Sequence, residues 1–316
     1  MDSHKTGGSF GIVSTIRENP KQTKEFIDYH LNIGASHIVV CFDDPEDPVM
    51  ADYRDEPRVT CIPCTQDHWN QLAGQTTKFN EEHIKNNFRY GSRLLRAMGV
   101  DFIICLDGDE LLYADEPVPL LLSKVKKQFD IVKFPVLEAV QHPGMNDALA
   151  LRSRCFKVPR NGRSIRHKIG CPVLHRRFNH LTKSGFFGHQ AGKAFFRSTA
   201  PVDIFNHHTP RSGHQPLKVF QTGKMFLLHF DCVCFEGWEH KWRRRVFGET
   251  NFDTMSEHRF LQQKEIRRAM EDKDKRMLYK LYRRYHWWGR IKLFCGRHLR
   301  LIKKIDLPET LFGRMP

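Results

Sequence analysis

FIICLDGDELLY, the stretch from Phe102 to Tyr113, is an apolar run that ends abruptly in three acids. Phe102, Ile103, Ile104, Cys105 and Leu106 have strand length and no polar interruption, the pattern of a strand buried on both faces of a largely parallel sheet. Asp107, Asp109 and Glu110 then fall at its C-terminal edge, where open α/β sheets bind ligands. Two carboxylates separated by one residue, on a chain leaving a strand, can converge on a hard divalent cation, which commonly binds substrate phosphates as well. The stretch therefore points to a metal and diphosphate site, set against the plainer reading of a polar turn after a buried strand.

Towards the N-terminus, Phe10 to Ile16 (FGIVSTI) reads as a first strand, broken by Arg17, Glu18, Asn19 and Pro20. Thr23 to Gly34 has the apolar face of a helix with a glycine stop, and His37 to Phe42 (HIVVCF) is a second strand ending in Asp43 and Asp44. This is a βαβ unit that delivers acids to the same edge. Asp43 and Asp44 there can bond a ribose or a base edge, and serve equally well as a solvated turn. Val59 to Ile62 is a third strand, and Asn80 to Met98 a helix. The CIPC of Cys61 to Cys64 has no second pair at zinc-finger spacing, which argues against a metal knuckle.

Beyond the acidic strand, Val118 to Gln128 reads as a helix and Ile131 to Leu137 (IVKFPVL) as a strand with Glu138 just past its end. GHQAGKAFFR, Gly188 to Arg197, fails as a phosphate loop because Phe187 and Ala194 stand where glycine and Ser/Thr are needed. Gly192 still permits close backbone approach, and Lys193 and Arg197 would share one side of a strand, an arrangement suited to an anionic ligand. Met225 to Phe230 is a further strand carrying His229. A lone histidine on an apolar strand is more often a core residue than a ligand.

Bulk properties bound the answer. The 316 residues, 40% hydrophobic and 28% charged, suit a large globular α/β domain with an appendage, and no apolar run approaches bilayer length. MDSHKTGGSF lacks a signal-peptide apolar segment, so a cytoplasmic start is expected, and the nine cysteines, including Cys41, Cys105, Cys232 and Cys234, read as reduced thiols in apolar stretches. The net charge of +15 is concentrated from Arg152 to Lys193 and in the last 75 residues. A nucleic-acid module would not normally carry DGDE at its centre, because fixed carboxylates repel phosphates unless a metal intervenes. The C-terminal segment from about Arg267 interleaves Tyr282, Tyr285, Trp287, Trp288, Ile291, Leu293 and Phe294 with arginines and lysines. It reads either as helices packed on the main domain or as a tail docking on an anionic membrane surface.

Taken in order, these pieces resemble the family 2 type of bacterial glycosyltransferase, in the branch with a single D-x-D-E-F/L signature. The resemblance rests on Ser14 to Pro20, EFIDYHLNIGASHIVVCFDDPEDP (Glu25 to Pro48), ICLDGDELL (Ile104 to Leu112), GHQAGKAFFR, and LLHF with WEHK (Leu227 to Lys241), and so covers about residues 10 to 245. Leu111 stands where many relatives have Phe. The resemblance implies a GT-A-like, Rossmann-related fold: a mixed, mainly parallel sheet flanked by helices over residues 1–245. The basic helical extension over 246–316 lies outside it and is read from its own residues. The resemblance also implies a nucleotide-sugar donor, UDP-linked, and Mn2+ or Mg2+ held by Asp107 and Asp109, with His229 as a further ligand. Arg17, Asp43, Asp44, Lys193 and Arg197 would contact the donor. Glu138 would be the general base of an inverting transfer, with Asp203 and Asp231 competing for that role, and the acceptor would be a glycan or lipid-linked hydroxyl. An enzyme at the inner face of the cytoplasmic membrane, without a nucleic-acid partner, is the resulting expectation. Two rivals stand beside it: a phosphatase of the haloacid dehalogenase type, which also places D-x-D after a strand, and a non-catalytic basic protein binding RNA or lipopolysaccharide.

Overall fold

The computed structural model describes residues 8–73, 80–145, 148–159, 165–183, 185–188, 190–206, 208–231, 233–248 and 257–314. His189 and Cys232 of the stretches above, and the first seven residues, lie outside them. In chain order the elements are β1 (Phe10–Ile16), α1 (Pro20–Asn32), β2 (His37–Phe42), α2 (Val49–Asp52), β3 (Val59–Pro63), α3 (Gln66–Ala73), α4 (Asn80–Ala97), β4 (Phe102–Cys105), β5 (Glu110–Ala114), α5 (Val118–Ser123) and β6 (Ile131–Phe134). They continue through β7 (Val136–Ala139), β8 (Cys155–Lys157), α6 (Ile165–His175), β9 (Lys193–Arg197), β10 (Val219–Gln221) and β11 (Met225–His229). The chain closes with α7 (Phe235–Phe247), α8 (Glu257–Glu271), α9 (Lys275–His286), α10 (Arg290–His298) and β12 (Ile302–Lys304).

The chain forms an α/β fold in two compact units, and neither is contiguous. The first holds residues 1–135, 191–227 and 308–316; the second holds 136–190 and 228–307. A break near residue 245 is therefore not where the chain divides, and the basic C-terminal helices belong to the second unit's own core rather than forming an extension. Every positive charge in excess belongs there too. The second unit carries 30 Lys/Arg against 13 Asp/Glu, a net +17, while the first carries 21 against 23, a net −2.

In the first unit a seven-stranded mixed sheet runs β10-β6-β9-β4-β1-β2-β3. β1, β2, β3 and β4 are parallel, with Val13 beside Cys105 and Ile16 beside Phe42. Their apolar runs are buried because helices cover a parallel sheet. β9 enters antiparallel between β4 and β6. Its direction decides where its charges go: Arg197 pairs with Phe102 at the start of β4, so Lys193 lies at the edge where β4 ends.

Two sequence readings shift for physical reasons. The helix from Val118 stops at Ser123, and the turns beyond it are held by Arg197, with Nε to Phe129 O at 2.8 Å and NH2 to Val125 O at 2.7 Å and Lys126 O at 3.2 Å. The expected strand from Ile131 to Leu137 is two strands split at Pro135, which has no N–H for a ladder, and the chain leaves the first unit there. Glu138 consequently lies within β7 of the second unit and not past the end of a first-unit strand.

In the second unit β12, β8 and β7 pair antiparallel. Its helices close on a core of Trp238, Trp242, Ile266, Leu278, Leu281 and Tyr285. Tyr282, Tyr285 and Trp288 are 6%, 1% and 1% exposed, so these aromatics pack inside the unit and have no free face for a lipid interface. Among the described residues no helix is long and apolar enough to cross a membrane.

Candidate active site

The acidic turn after β4 is held from several directions. Asp107 N–H donates to Glu110 Oε2 at 2.8 Å and Glu110 N–H donates back to Asp107 O at 3.0 Å, so the turn closes on itself. α1 clamps it. This helix starts where Asn19 Oδ1 accepts from Gln22 N–H and Pro20 presets the first turn, and it stops at Gly34, whose φ of +97° few other residues adopt. Gln22 Nε2 donates to Gly108 O at 3.1 Å, and Tyr29 OH to Leu112 O at 2.9 Å. His30 completes the clamp: burial lowers its pKa to about 3, so the neutral ring donates from Nδ1 to Phe26 O and accepts the Leu112 N–H at Nε2. Tyr29 and His30 read in the sequence only as helix-face residues and Gln22 lies outside the expected helix, although a histidine and a tyrosine side by side on an apolar helix face are a visible irregularity.

Lys193 is fully buried, its ammonium 3.0 Å from Glu110 Oε2 and 3.3 Å from Asp107 Oδ2. Burial works against its charge, but Asp107 and Glu110 outweigh burial and raise the lysine above its ordinary value. Burial likewise pushes the Glu110 carboxyl up to about 8, against the pull of Lys193 and helped by Asp107 and Asp109. Glu110 Oε1 is buried with no hydrogen-bond partner among the described residues, whereas Asp107 keeps 31% of its side chain exposed. Asp109 is 6% exposed. One ammonium among three carboxyls leaves an oxygen-rich turn with a surplus of negative charge. Hard divalent cations fit such a donor set.

Lys193 therefore faces acids of its own unit, and it is sealed from solvent rather than open to a diphosphate. Arg197 parts company with it at the opposite edge of the sheet, capping carbonyls with its guanidinium 4.5 Å above the Phe102 ring. Gly192 does permit a close approach, but to protein. At φ +65° an added Cβ would fall 2.4 Å from Phe134 O.

A second group gathers at the C-terminal edge around Asp43. Its Oδ2 is 3.2 Å from Arg17, and Oδ1 is 3.9 Å from His83, whose ring stacks on Trp69 with centroids 4.0 Å apart and planes 19° apart. A flat aromatic pair beside a bridged carboxylate offers stacking and hydrogen bonding to a planar ring. Trp69 and His83 were not singled out in the sequence because α3 and α4 bring them together from fourteen residues apart. Asp44 is exposed and closes its own turn by accepting from Glu46 N–H at 3.0 Å. Asp203 is engaged by Gly213 N–H at 2.8 Å in a surface turn.

The second unit has a buried charge network of its own. Glu138, 1% exposed, pairs with Lys157 and accepts from Phe187 N–H at 3.2 Å and Gly188 N–H at 2.6 Å. Burial alone would raise its pKa, but Lys157 and the Gly188 N–H bring it below the ordinary value. A sealed carboxylate with both oxygens committed is a structural anion, not a base waiting for an acceptor proton. Asp231 is similar: burial opposes its charge, while Lys241, Arg259, Arg245 and His229 hold it well below the usual carboxylate range. His229 and Asp231 present ligand-type atoms within 4.8 Å of one another, an imidazole and a carboxylate at the end of β11. A Cβ on Gly188 would stand 3.0 Å from Glu138 Oε2 and 3.3 Å from the His229 ring, a tight fit at that position.

No family model matches the chain, and no curated protein matches it. Among solved structures it resembles a mycobacterial protein at 14% identity, over 61% of this chain and 55% of that one, with a TM-score of 0.29. It also resembles HddC from Yersinia pseudotuberculosis at 12% identity, over 74% of this chain and 99% of that one, with a TM-score of 0.34. The chain thus spans about half the length of the first of these. Neither likeness carries an argument about activity.

Proposed function

We propose that the protein is a glycosyltransferase of GT-A type that takes a sugar from a nucleoside diphosphate, UDP by preference, with Mn2+ or Mg2+ as cofactor. The observation that carries the reading is the clamped acidic turn at the C-terminal edge of the parallel strands, with a buried lysine behind it. Asp107 and Asp109 would hold the cation, and Lys193, by binding Asp107 and Glu110, fixes the turn in the conformation that presents them. A cation held there by Asp107 and Asp109 would supply electrostatic stabilisation to the departing diphosphate. Asp43, oriented by Arg17 and flanked by the Trp69–His83 stack, suits the nucleoside. In the reaction a hydroxyl of a glycan or lipid-linked acceptor forms the new bond to the anomeric carbon, the bond to the diphosphate breaks, and the hydroxyl proton is released. A single displacement inverts that carbon.

A thermal-shift panel of nucleotide sugars with and without Mn2+ tests the reading, since a true donor stabilises the protein in proportion to RT ln(1 + [L]/Kd). A metal-dependent shift with one nucleotide sugar, lost in Asp109→Asn, supports it. A phosphoaspartyl adduct at Asp107 would replace it with the phosphatase alternative.

A further inference from the structure

Within the second unit, α6, α9 and α10 enclose an open groove of about 930 Å³. Lys280, Arg283, Arg284 and Lys292 line it together with Phe178 and Trp287, and among the described residues no carboxylate does. The aromatic rings order the cations: Arg284 lies 4.2 Å above the Phe178 ring, Arg283 5.3 Å from Trp287 and Lys292 4.3 Å from Trp288. Positive charge gathered in one groove attracts an anion. Burial, with Lys157 adding to it, pulls the Lys292 ammonium down to about 7, so an anion beside it would favour its charged form.

The helices beside the groove carry a second feature. Ile165, Ile169 and Val173 recur every four residues along α6 and are 69%, 59% and 61% exposed, while Gly170, Cys171 and His175 of the same helix are buried. On α10, which packs against α6, Ile291 is 82% and Phe294 62% exposed. Exposed apolar stripes of this kind mark contact with another protein or with a membrane. A soluble phosphate would satisfy the cations and leave the stripes in water. A bilayer surface with anionic headgroups satisfies both, and the net +17 of this unit adds long-range attraction.

We propose that this face of the second unit docks on an anionic lipid bilayer, with lipid phosphates in the groove between α6, α9 and α10 and the exposed side chains of α6 and α10 among the acyl chains. The anchoring residues differ from those the C-terminal sequence advertises, because Tyr282, Tyr285 and Trp288 are core and the α6 stripe lies a hundred residues earlier. The inference is independent of the catalytic reading. Protein that binds vesicles yet turns over no nucleotide sugar keeps one and loses the other.

The test is co-sedimentation of the full-length chain with phosphatidylcholine vesicles, with and without phosphatidylglycerol, at low and high salt. Wild type should pellet only with the anionic vesicles and release as salt rises. Lys280→Ala with Arg283→Ala, and separately Ile169→Glu, alter exposed side chains and should each weaken partition roughly tenfold or more with an unchanged circular dichroism spectrum. Phe294→Ser is the second apolar variant should Ile169→Glu disturb the fold. Failure to pellet with phosphatidylglycerol, or pelleting that the cation and apolar variants leave unchanged, overturns the proposal. So does quenching of tryptophan fluorescence by soluble glycerol phosphate without any vesicle binding, which would assign the groove to a free phosphate.

Discussion

Lys193→Met removes the ammonium behind the acidic turn while keeping much of the side-chain volume. The lysine and Glu110 are both fully buried, 3.0 Å apart, and Asp107 is a second partner at 3.3 Å. Taking one partner from a buried pair costs about 3–5 kcal/mol, because Asp107 loses its counterion and Glu110 is left buried without its partner. Such a loss is a large share of a stability that is commonly about 5–15 kcal/mol. Glu110→Gln should cost less, since burial already holds that carboxyl towards its protonated form. In the double variant the uncompensated acid is gone, and the two changes should couple by roughly 0.5–3 kcal/mol. Urea unfolding of the four proteins in EDTA gives the cycle, and repeating it with Mn2+ adds the functional arm. A cation bound by Asp107 and Asp109 should restore more stability to Lys193→Met than it adds to wild type. Additive losses, or a Lys193→Met cost below about 1 kcal/mol, would refute the claim that this lysine holds the turn.

Arg197→Ala should destabilise by about 2–4 kcal/mol through three lost carbonyl bonds and the Phe102 contact, yet leave nucleotide-diphosphate affinity unchanged in equilibrium binding. Gly192→Ala should cost about 2 kcal/mol or more in urea unfolding, since a Cβ meets Phe134 O at a positive φ. Glu138 has its folded pKa lowered from 4.5, so the stability it contributes is present above that value and lost as pH falls through the folded pKa. Glu138→Gln should therefore be less stable than wild type at pH 7 and approach it on acidification, as read by unfolding midpoints across that range.

The parts of the fold that were legible in the sequence are those governed by short-range pattern. β1 and β2 match their expected bounds residue for residue, because an apolar run closed by polar residues has few alternatives, and the turn from Asp107 to Glu110 follows from the same logic. What stayed hidden depends on contacts between distant segments. Lys193 gives no sign of lying against β4 until β9 is known to enter antiparallel between β4 and β6, which at once sends Arg197 to the far edge. The partner of Glu138 is Lys157, on a three-residue strand too short to register as a pattern. Pro135 did signal a break, yet inside IVKFPVL the flanking apolar residues outweighed it, and with it went the position of the unit boundary. The second unit's core hid similarly: Tyr282 and Tyr285 read equally as packed helix faces or as a docking tail until α7, α8 and α9 are seen packing on one another.

The most direct test of the catalytic account is release of nucleoside diphosphate from the nucleotide sugar that binds best, measured with Mn2+ and with EDTA, in wild type and Asp109→Asn. The account predicts turnover that requires the cation and falls by a factor of about a hundred or more in the variant, the scale expected when stabilisation of the leaving group is lost. Turnover in EDTA, or an Asp109→Asn enzyme with near wild-type rate and Mn2+ affinity, would contradict it.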